Sequence, residues 1–308
     1  MIELLSLFAV FIAIFLFGMT VMRTGLYNLS GDKMTEFLVT FTGNPFKGLL
    51  VGTVITAIIQ SSSAVMVIVV GLVAAGYMTF KQSLGIILGT NIGTTITTEL
   101  ISIQIYDAVV PLLIIGFLCL LSSKRQLFSI GAILFGLGCL FVAMQGFGHL
   151  SRPISLLPGV HAFFEHTNEN GLLGIGLGTI LTAIIQSSTA TTGIVMGFLN
   201  EELLTLHAGI AIVLGANIGT CITAFLASVG ASHEAKLTAY AHIWLNIFGV
   251  LLFFPFINYL GSLASTLTAL PDMQLAHVSV IFNILTSIVA LPLVGLLSGF
   301  ILWMHKRA

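Results

Sequence analysis

The sequence predicts an all-α polytopic membrane protein: an inverted-topology repeat with two re-entrant helical hairpins and broken transmembrane helices. Three observations predict it. Of the 308 residues, 57% are hydrophobic and 7% charged, with a mean hydropathy of +1.12, which leaves too little charge to clothe a water-exposed surface. One stretch is written twice: Gly52-Thr53, Thr56 to Ser62, Gly89 and Asn91 to Thr94 return without a gap, at a spacing of 186 − 60 = 126, as Gly178-Thr179, Thr182 to Ser188, Gly215 and Asn217 to Thr220. Such self-similarity marks one architectural unit used twice. Finally, the ten Lys and Arg residues sort almost wholly to one side of a membrane when the polar stretches Gln60 to Ser63 and Gln186 to Thr189 are read as hairpins that dip in and return.

In chain order, residues 2 to 22 are almost wholly apolar and carry Glu3 rather than a basic leader. They therefore read as a first transmembrane helix and not as a cleaved signal. Further apolar spans follow at 82 to 105, 108 to 122, 127 to 147, 204 to 228, 236 to 260 and 275 to 303. Between them lie two units, 36 to 76 and 170 to 200, each long enough for two short helices. Gln60 to Ser63 and Gln186 to Thr189 interrupt these units with side chains that are costly in lipid. The whole chain, 1 to 308, is taken as one transmembrane transporter domain, with repeat 1 at about 36 to 147 and repeat 2 at about 162 to 303.

The basic residues arbitrate between hairpins and single crossings. With both units re-entrant, Arg23, Lys33, Lys47, Lys81, Lys124, Arg125, Lys236, Lys306 and Arg307 share one side, and Arg152 stands alone on the other. With both units crossing once, nine against one becomes seven against three. The re-entrant reading places the N-terminus outside and the C-terminus in the cytoplasm. It also puts three crossings between the units, so the second enters from the opposite face and both tips are expected near the bilayer midplane.

A break at each tip frees N–H groups at the start of one half-helix and carbonyls at the end of the other. N–H groups and hydroxyls suit an anion, whereas carbonyl, amide and hydroxyl oxygens suit a hard cation such as sodium. The hairpins contain no Lys or Arg near their tips, so a bound oxyanion is expected to need a cation carried in with it. A second polar interruption follows each hairpin, Gly89 to Thr95 and Gly215 to Cys221, where two glycines framing Asn91 or Asn217 are expected to unwind the helix. Gly48 with Gly52, and Gly174 with Gly178, have the spacing of close helix packing, expected within the hairpins. His242 with Asn246 and His277 with Asn283 lie in late spans and read as interhelical hydrogen-bonding pairs. Glu99 reads as the most buried acid; its copy-two counterpart is Phe225, so a symmetric mechanism does not use it. Cys119, Cys139 and Cys221 lack metal-site spacing and read as core residues.

These residues resemble the type II sodium-dependent phosphate cotransporter family. Its signature, a duplicated Gln-Ser-Ser-Ser-type motif with a following Thr-Asn-Ile-Gly-Thr-type motif, is matched by Gln60 to Ser63 with Thr90 to Thr94, and by Gln186 to Thr189 with Ala216 to Thr220. The second copy departs at Thr189, which keeps the hydroxyl, and at Ala216, which loses it. The likeness is to a bacterial member without the C-terminal PhoU-like domain that many relatives carry. The resemblance implies phosphate bound by Gln60, Ser61, Ser62, Ser63, Gln186, Ser187, Ser188 and Thr189. It implies sodium ligands among Gln60, Ser63, Thr90, Asn91, Thr94, Gln186, Thr189, Asn217 and Thr220.

The expected function is sodium-coupled phosphate symport by alternating access in a cell membrane. The alternatives are a transporter or exporter of another oxyanion, a passive anion channel built on the same dipoles, and a membrane subunit that senses phosphate for a partner. No placed nucleophile and base or metal cluster suggests an enzyme, and no organic cofactor is expected beside sodium as coupling ion. The scattered basic residues exclude a nucleic-acid surface. The expected partners are phosphate, sodium and the lipid bilayer, with formation of a homo-oligomer left open.

Overall fold

A computed structural model describes residues 2–30, 34–103 and 105–306. Lys33 and Arg307, counted above among the basic residues, and position 104 lie outside the described residues. Among the described residues every regular element is a helix. The first is α1 (Ile2–Ser30), followed by the short α2 (Met34–Thr40), α3 (Pro45–Ile59), α4 (Ser62–Ala74) and α5 (Phe80–Ser102). Then come α6 (Val109–Leu120), α7 (Arg125–Ser155), α8 (Pro158–Glu169), α9 (Gly171–Ile185), α10 (Ser188–Asn200), α11 (Leu206–Gly219) and α12 (Cys221–Ser228). The chain ends with α13 (His233–Phe253), α14 (Ile257–Leu267), α15 (Pro271–Ala290) and α16 (Val294–Met304).

Local chemistry starts and stops these helices. Asn44 Oδ1 accepts from the Lys47 N–H and Pro45 occupies the first turn of α3, where a missing N–H costs nothing. Thr79 and Gln82 form a reciprocal capping box at the start of α5. Pro255 and Pro292 each lack the donor that a continuous helix needs. The chain accordingly tightens into short 3-10 turns at Phe254–Phe256 and Leu291–Leu293, which divide α13 from α14 and α15 from α16.

Among the described residues, six stretches are long and apolar enough to cross a membrane: Ile2–Ser30, Phe80–Ser102, Arg125–Ser155, Leu206–Ser228, His233–Leu267 and Pro271–Met304. The seventh expected span, 108 to 122, holds only the 12-residue α6. At about 1.5 Å per residue this helix is about 18 Å long, well short of a hydrocarbon layer of about 30 Å. Gly116 meets Phe135 and Gly131 meets Cys119, so α6 lies antiparallel along the first half of α7. The first helix, by contrast, runs eight residues beyond the expected end at 22, to Ser30.

Glycine contacts set the direction of each repeat. A Cβ would lie 2.1 Å from the Pro45 oxygen at Gly85, 2.2 Å from the Leu49 oxygen at Gly89 and 2.6 Å from the Thr53 oxygen at Gly93. α3 and α5 therefore run parallel, with Pro45 at the start of α3 level with Gly85 in the second turn of α5, and α4 must carry the chain back between them. The second copy repeats this at the 126-residue offset, with Gly215 against the Ile175 oxygen (2.0 Å) and Gly219 against the Thr179 oxygen (2.4 Å). Each unit is thus a helical hairpin of arms with 15 and 13 residues, about 20 Å tall.

α15 serves as a ruler between the copies. Ser287 Oγ donates to the Leu88 oxygen and His277 meets Glu99, so α15 is antiparallel to α5. Toward α11 it is parallel, because Gly209 faces Leu275 while Asn217 shares a cavity with Asn283. α5 and its counterpart α11 consequently run in opposite directions, which is the inversion the charge count predicts.

The glycines also correct two expectations. The segment Gly89 to Thr95 does not unwind: α5 is helical throughout. In the second copy the interruption at Thr220 keeps helical angles (φ −61°, ψ −24°), and its N–H still bonds to the Ala216 oxygen. Glycine at 89, 93, 215 and 219 is required because the backbone of the neighbouring hairpin arm lies where a side chain would sit. Gly48, Gly52, Gly174 and Gly178 likewise pack against α5 and α11, not within the hairpins. The apolar core falls into two clusters, one around Phe15, Leu140, Phe147, Ile212 and Phe282, the other around Ile55, Val69, Leu84, Ile87 and Leu245. Polar residues collect where the two clusters meet.

Candidate functional site

Each hairpin turns on a glutamine in the left-handed region. Gln60 has φ 59° and ψ 30°, and Gln186 has φ 56° and ψ 30°. A non-glycine residue pays roughly 1–2 kcal/mol for this conformation, and both copies hold it the same way. The Gln60 and Gln186 N–H groups bond to the Thr56 and Thr182 oxygens at 2.7 Å. The extended residue that follows then caps the returning helix, with Ser61 Oγ accepting from the Ala64 N–H and Ser187 Oγ from the Ala190 N–H, both at 3.2 Å. The carbonyl end of one half-helix and the N–H end of the next are so brought to one point in each copy. Ser61 and Ser187 use their acceptor capacity in these caps. Among the described residues, no group bonds to the Ser62 or Ser188 hydroxyl.

The two copies interleave. Ser188 of the second tip lines a small polar cavity of about 20 Å³ together with Asn91, Thr94, Asn217, Ser279 and Asn283. That volume holds about one water molecule. Ser63 of the first tip shares an open groove with Gln186 of the second and Thr223. Of the expected ligands, Asn91, Thr94, Ser188 and Asn217 line the cavity and Ser63 and Gln186 the groove, whereas Gln60, Ser61, Ser62, Ser187 and Thr189 line neither. Thr90 and Thr220 line neither; both are buried, and their hydroxyls donate to the Ile87 and Ala216 oxygens. Thr189 is buried beside the second tip at 3% exposure. The tips also differ in exposure: Gln60 is 7% exposed, whereas Gln186 is open to the outside.

Three contributions escaped the motif reading. Ser279, Asn283 and Thr192 complete the cavity wall. Asn283, read beside His277 as a bonding pair, instead donates to the Ser279 oxygen on its own helix, while His277 pairs with Glu99 at 2.8 Å. Asp272, at 3% exposure, is more buried than Glu99, whose carboxylate is about a third exposed. Arg23, expected in a loop, lies inside α1, and its Nε–H donates to the Gln60 oxygen at 2.8 Å. The first tip therefore does have a basic side chain. The ending of the apolar run at Met22 hid it, because the helix continues to Ser30 with Gly25 packed on α7.

Asn246 forms a polar bridge behind the cavity. Its Oδ1 accepts from Asn91 Nδ2 (3.1 Å), and its Nδ2 donates to the His242 oxygen (2.9 Å) and the Cys221 sulfur (3.3 Å). Asn246→Leu and Asn91→Leu are each expected to lower the thermal midpoint in detergent. Their double variant should lose less than the sum by about 0.6–2 kcal/mol, the worth of one interhelical bond in a membrane span. Strictly additive losses would show that the pair is not coupled.

The family model described as Na+/Pi-cotransporter matches residues 14–149 and 156–271. The chain is 42% identical over 289 residues to YqeW of Bacillus subtilis (strain 168), covering 94% of each. It is 25% identical over 291 residues to YjbB of Escherichia coli (strain K12), which carries the provisional name of an inorganic phosphate export protein; the match covers 94% of this chain and 53% of that protein. Over 137 residues it is 35% identical to the human sodium-dependent phosphate transport protein 2B, covering 41% of this chain and 20% of the relative. The chain thus spans nearly all of the first relative and about half of the second. No solved structure matches it significantly.

Proposed function

The chain belongs to the Na+/Pi-cotransporter family, and on that premise we propose that it carries inorganic phosphate across the cell membrane together with sodium, as a symporter working by alternating access. The observation that carries this reading is that two oppositely directed hairpins, one with Gln60 buried and the other with Gln186 exposed, bring Ser63 and Gln186 to one groove and Ser188 to a polar cavity with Asn91 and Thr94 of the other copy. An inverted pair of broken helices offers N–H groups and hydroxyls to an anion, and carbonyl and amide oxygens to a cation. In this reading each hairpin enters the bilayer from one face and returns, with the N-terminus outside and the C-terminus in the cytoplasm. Gln60 to Ser63 and Gln186 to Thr189 hold phosphate. Asn91, Thr94, Asn217 and the tip oxygens hold sodium, Thr90 and Thr220 supporting them from the helix interior. Exchange of exposure between Gln60 and Gln186 is the alternation, the buried tip opening as the other closes.

The test is uptake of labelled phosphate into proteoliposomes containing the purified chain, under an inward gradient of sodium and then of potassium or choline. Accumulation above equilibrium with sodium alone is expected. Equal, merely equilibrating flux in every cation would support a channel instead. The name of the Escherichia coli relative favours export as a second reading; accumulation that proceeds outward, and without a sodium gradient, would select it.

A further inference from the structure

Arg23 is a cation placed within an apolar span. It lies seven residues before the end of α1, about 10 Å along the axis, with buried Met22 and Gly25 beside it. A charge in this position is expensive unless an opposite charge meets it. Among the described residues no carboxylate lies within ion-pair distance of Arg23, and its one hydrogen bond is from Nε to the Gln60 oxygen. The planar guanidinium has four further N–H donors on its two Nη atoms, held next to the tip by that bond.

The first tip has a second unmet group. Gln60 Oε1 is buried with no hydrogen-bond partner, while its Nε2 is occupied by the Ala57 oxygen. An unpaired amide oxygen on the residue whose backbone oxygen holds the guanidinium, before the start of a 13-residue helix, matches an anion that is partly protonated: the guanidinium meets its charge and its O–H donates to the amide oxygen. Among the described residues, no Lys or Arg side chain bonds to the second tip. The residue 126 positions after Arg23 is His149, which lines a different cavity with Gln145, Asn200 and Asp272.

We infer that Arg23 is the cationic partner of the transported oxyanion, and that phosphate is held at the first tip between the Arg23 guanidinium, Gln60 and Ser62, leaving the second tip richer in oxygen ligands for sodium. This inference rests on the transport reading above. It divides between the two tips the roles that their identical motifs leave undivided, and it supplies in the protein part of the positive charge that the sequence assigned wholly to the coupling ion. The bond from Nε also neutralises the carbonyl end of α3, so the field at the tip favours an anion over a cation.

The experiment compares wild-type protein with R23Q and R23K in proteoliposomes, varying phosphate at saturating sodium and sodium at saturating phosphate. R23Q is expected to raise the half-saturating phosphate concentration by about tenfold to a hundredfold, as for loss of a charge-assisted bond. Half-saturating sodium and the maximal rate should stay within about twofold. R23K keeps the charge but not the planar fork and should fall between, at about a fivefold rise. If Arg23 merely caps α3, R23Q will lower thermal stability or the maximal rate and leave phosphate half-saturation unchanged, which overturns the inference. Should R23Q fail to fold, R23K decides: unchanged phosphate half-saturation overturns the assignment. Absence of phosphate flux in the wild type would refute the transport reading itself and is thereby told apart from failure at Arg23.

Discussion

Ser188→Ala is expected to cut sodium-driven phosphate uptake by about tenfold to a hundredfold, and Ser62→Ala to do the same, with the protein still folded in the membrane. The two serines occupy the first helical position after each break. Ser188 lines the polar cavity and Ser62 is 6% exposed at the first tip. Neither hydroxyl is used to hold the fold, so its removal should cost little stability and subtract a ligand directly. The neighbouring pair makes the control. Ser61 and Ser187 cap α4 and α10, so Ser61→Ala and Ser187→Ala should also lose about 1 kcal/mol of stability. Uptake kinetics together with thermal unfolding in detergent separate the two effects. Normal transport in both Ser62→Ala and Ser188→Ala would remove the tips from the mechanism.

Gly178→Ala is expected to be the most damaging single methyl group in the chain. Its Cβ would lie 1.9 Å from the Ile212 oxygen and 2.8 Å from the carbonyl carbon, so α9 must move off α11 along its whole length. Overpacking of this kind costs about 1–3 kcal/mol, and a clash with backbone belongs at the upper end. The expected result is a lowered thermal midpoint and a reduced yield of monodisperse protein. Gly176, two residues earlier in the same helix, faces open space. Gly176→Ala should therefore leave stability unchanged or raise it by up to about 1 kcal/mol through helix propensity. Equal behaviour of the two variants would mean that the α9–α11 contact does not hold the hairpin.

Much of this was legible from residues alone. Hydropathy and the low charge content mark the membrane class, since so few charged side chains cannot clothe a water-exposed surface. The 126-residue spacing identifies the two hairpins and places their turns at Gln60 and Gln186, each of which the structure finds in the left-handed region. The glycines that frame Asn91 and Asn217 were misread. A glycine that lets two backbones touch and a glycine that lets a helix unwind look the same in a sequence, and only the position of α3 along α5 tells them apart. The span at 108 to 122 is carried by only the 12-residue α6, because apolar composition does not report helix length. Arg23 was taken for a loop residue because hydropathy ends at Met22 while the hydrogen-bonded helix does not.

By itself, the sequence determined that this chain is an all-helical membrane protein with a duplicated unit whose turns are polar and hydroxyl-rich, because hydrophobic length and repetition are properties of the chain that need no partner. Only the tertiary structure decided which groups of the two copies meet: Ser63 with Gln186, Ser188 with Asn91, Asn246 behind Asn91, and Arg23 at the first tip. Those pairings join residues up to 155 positions apart. They are set by how helices of opposite direction pack, and the local sequence at either end contains no record of that packing.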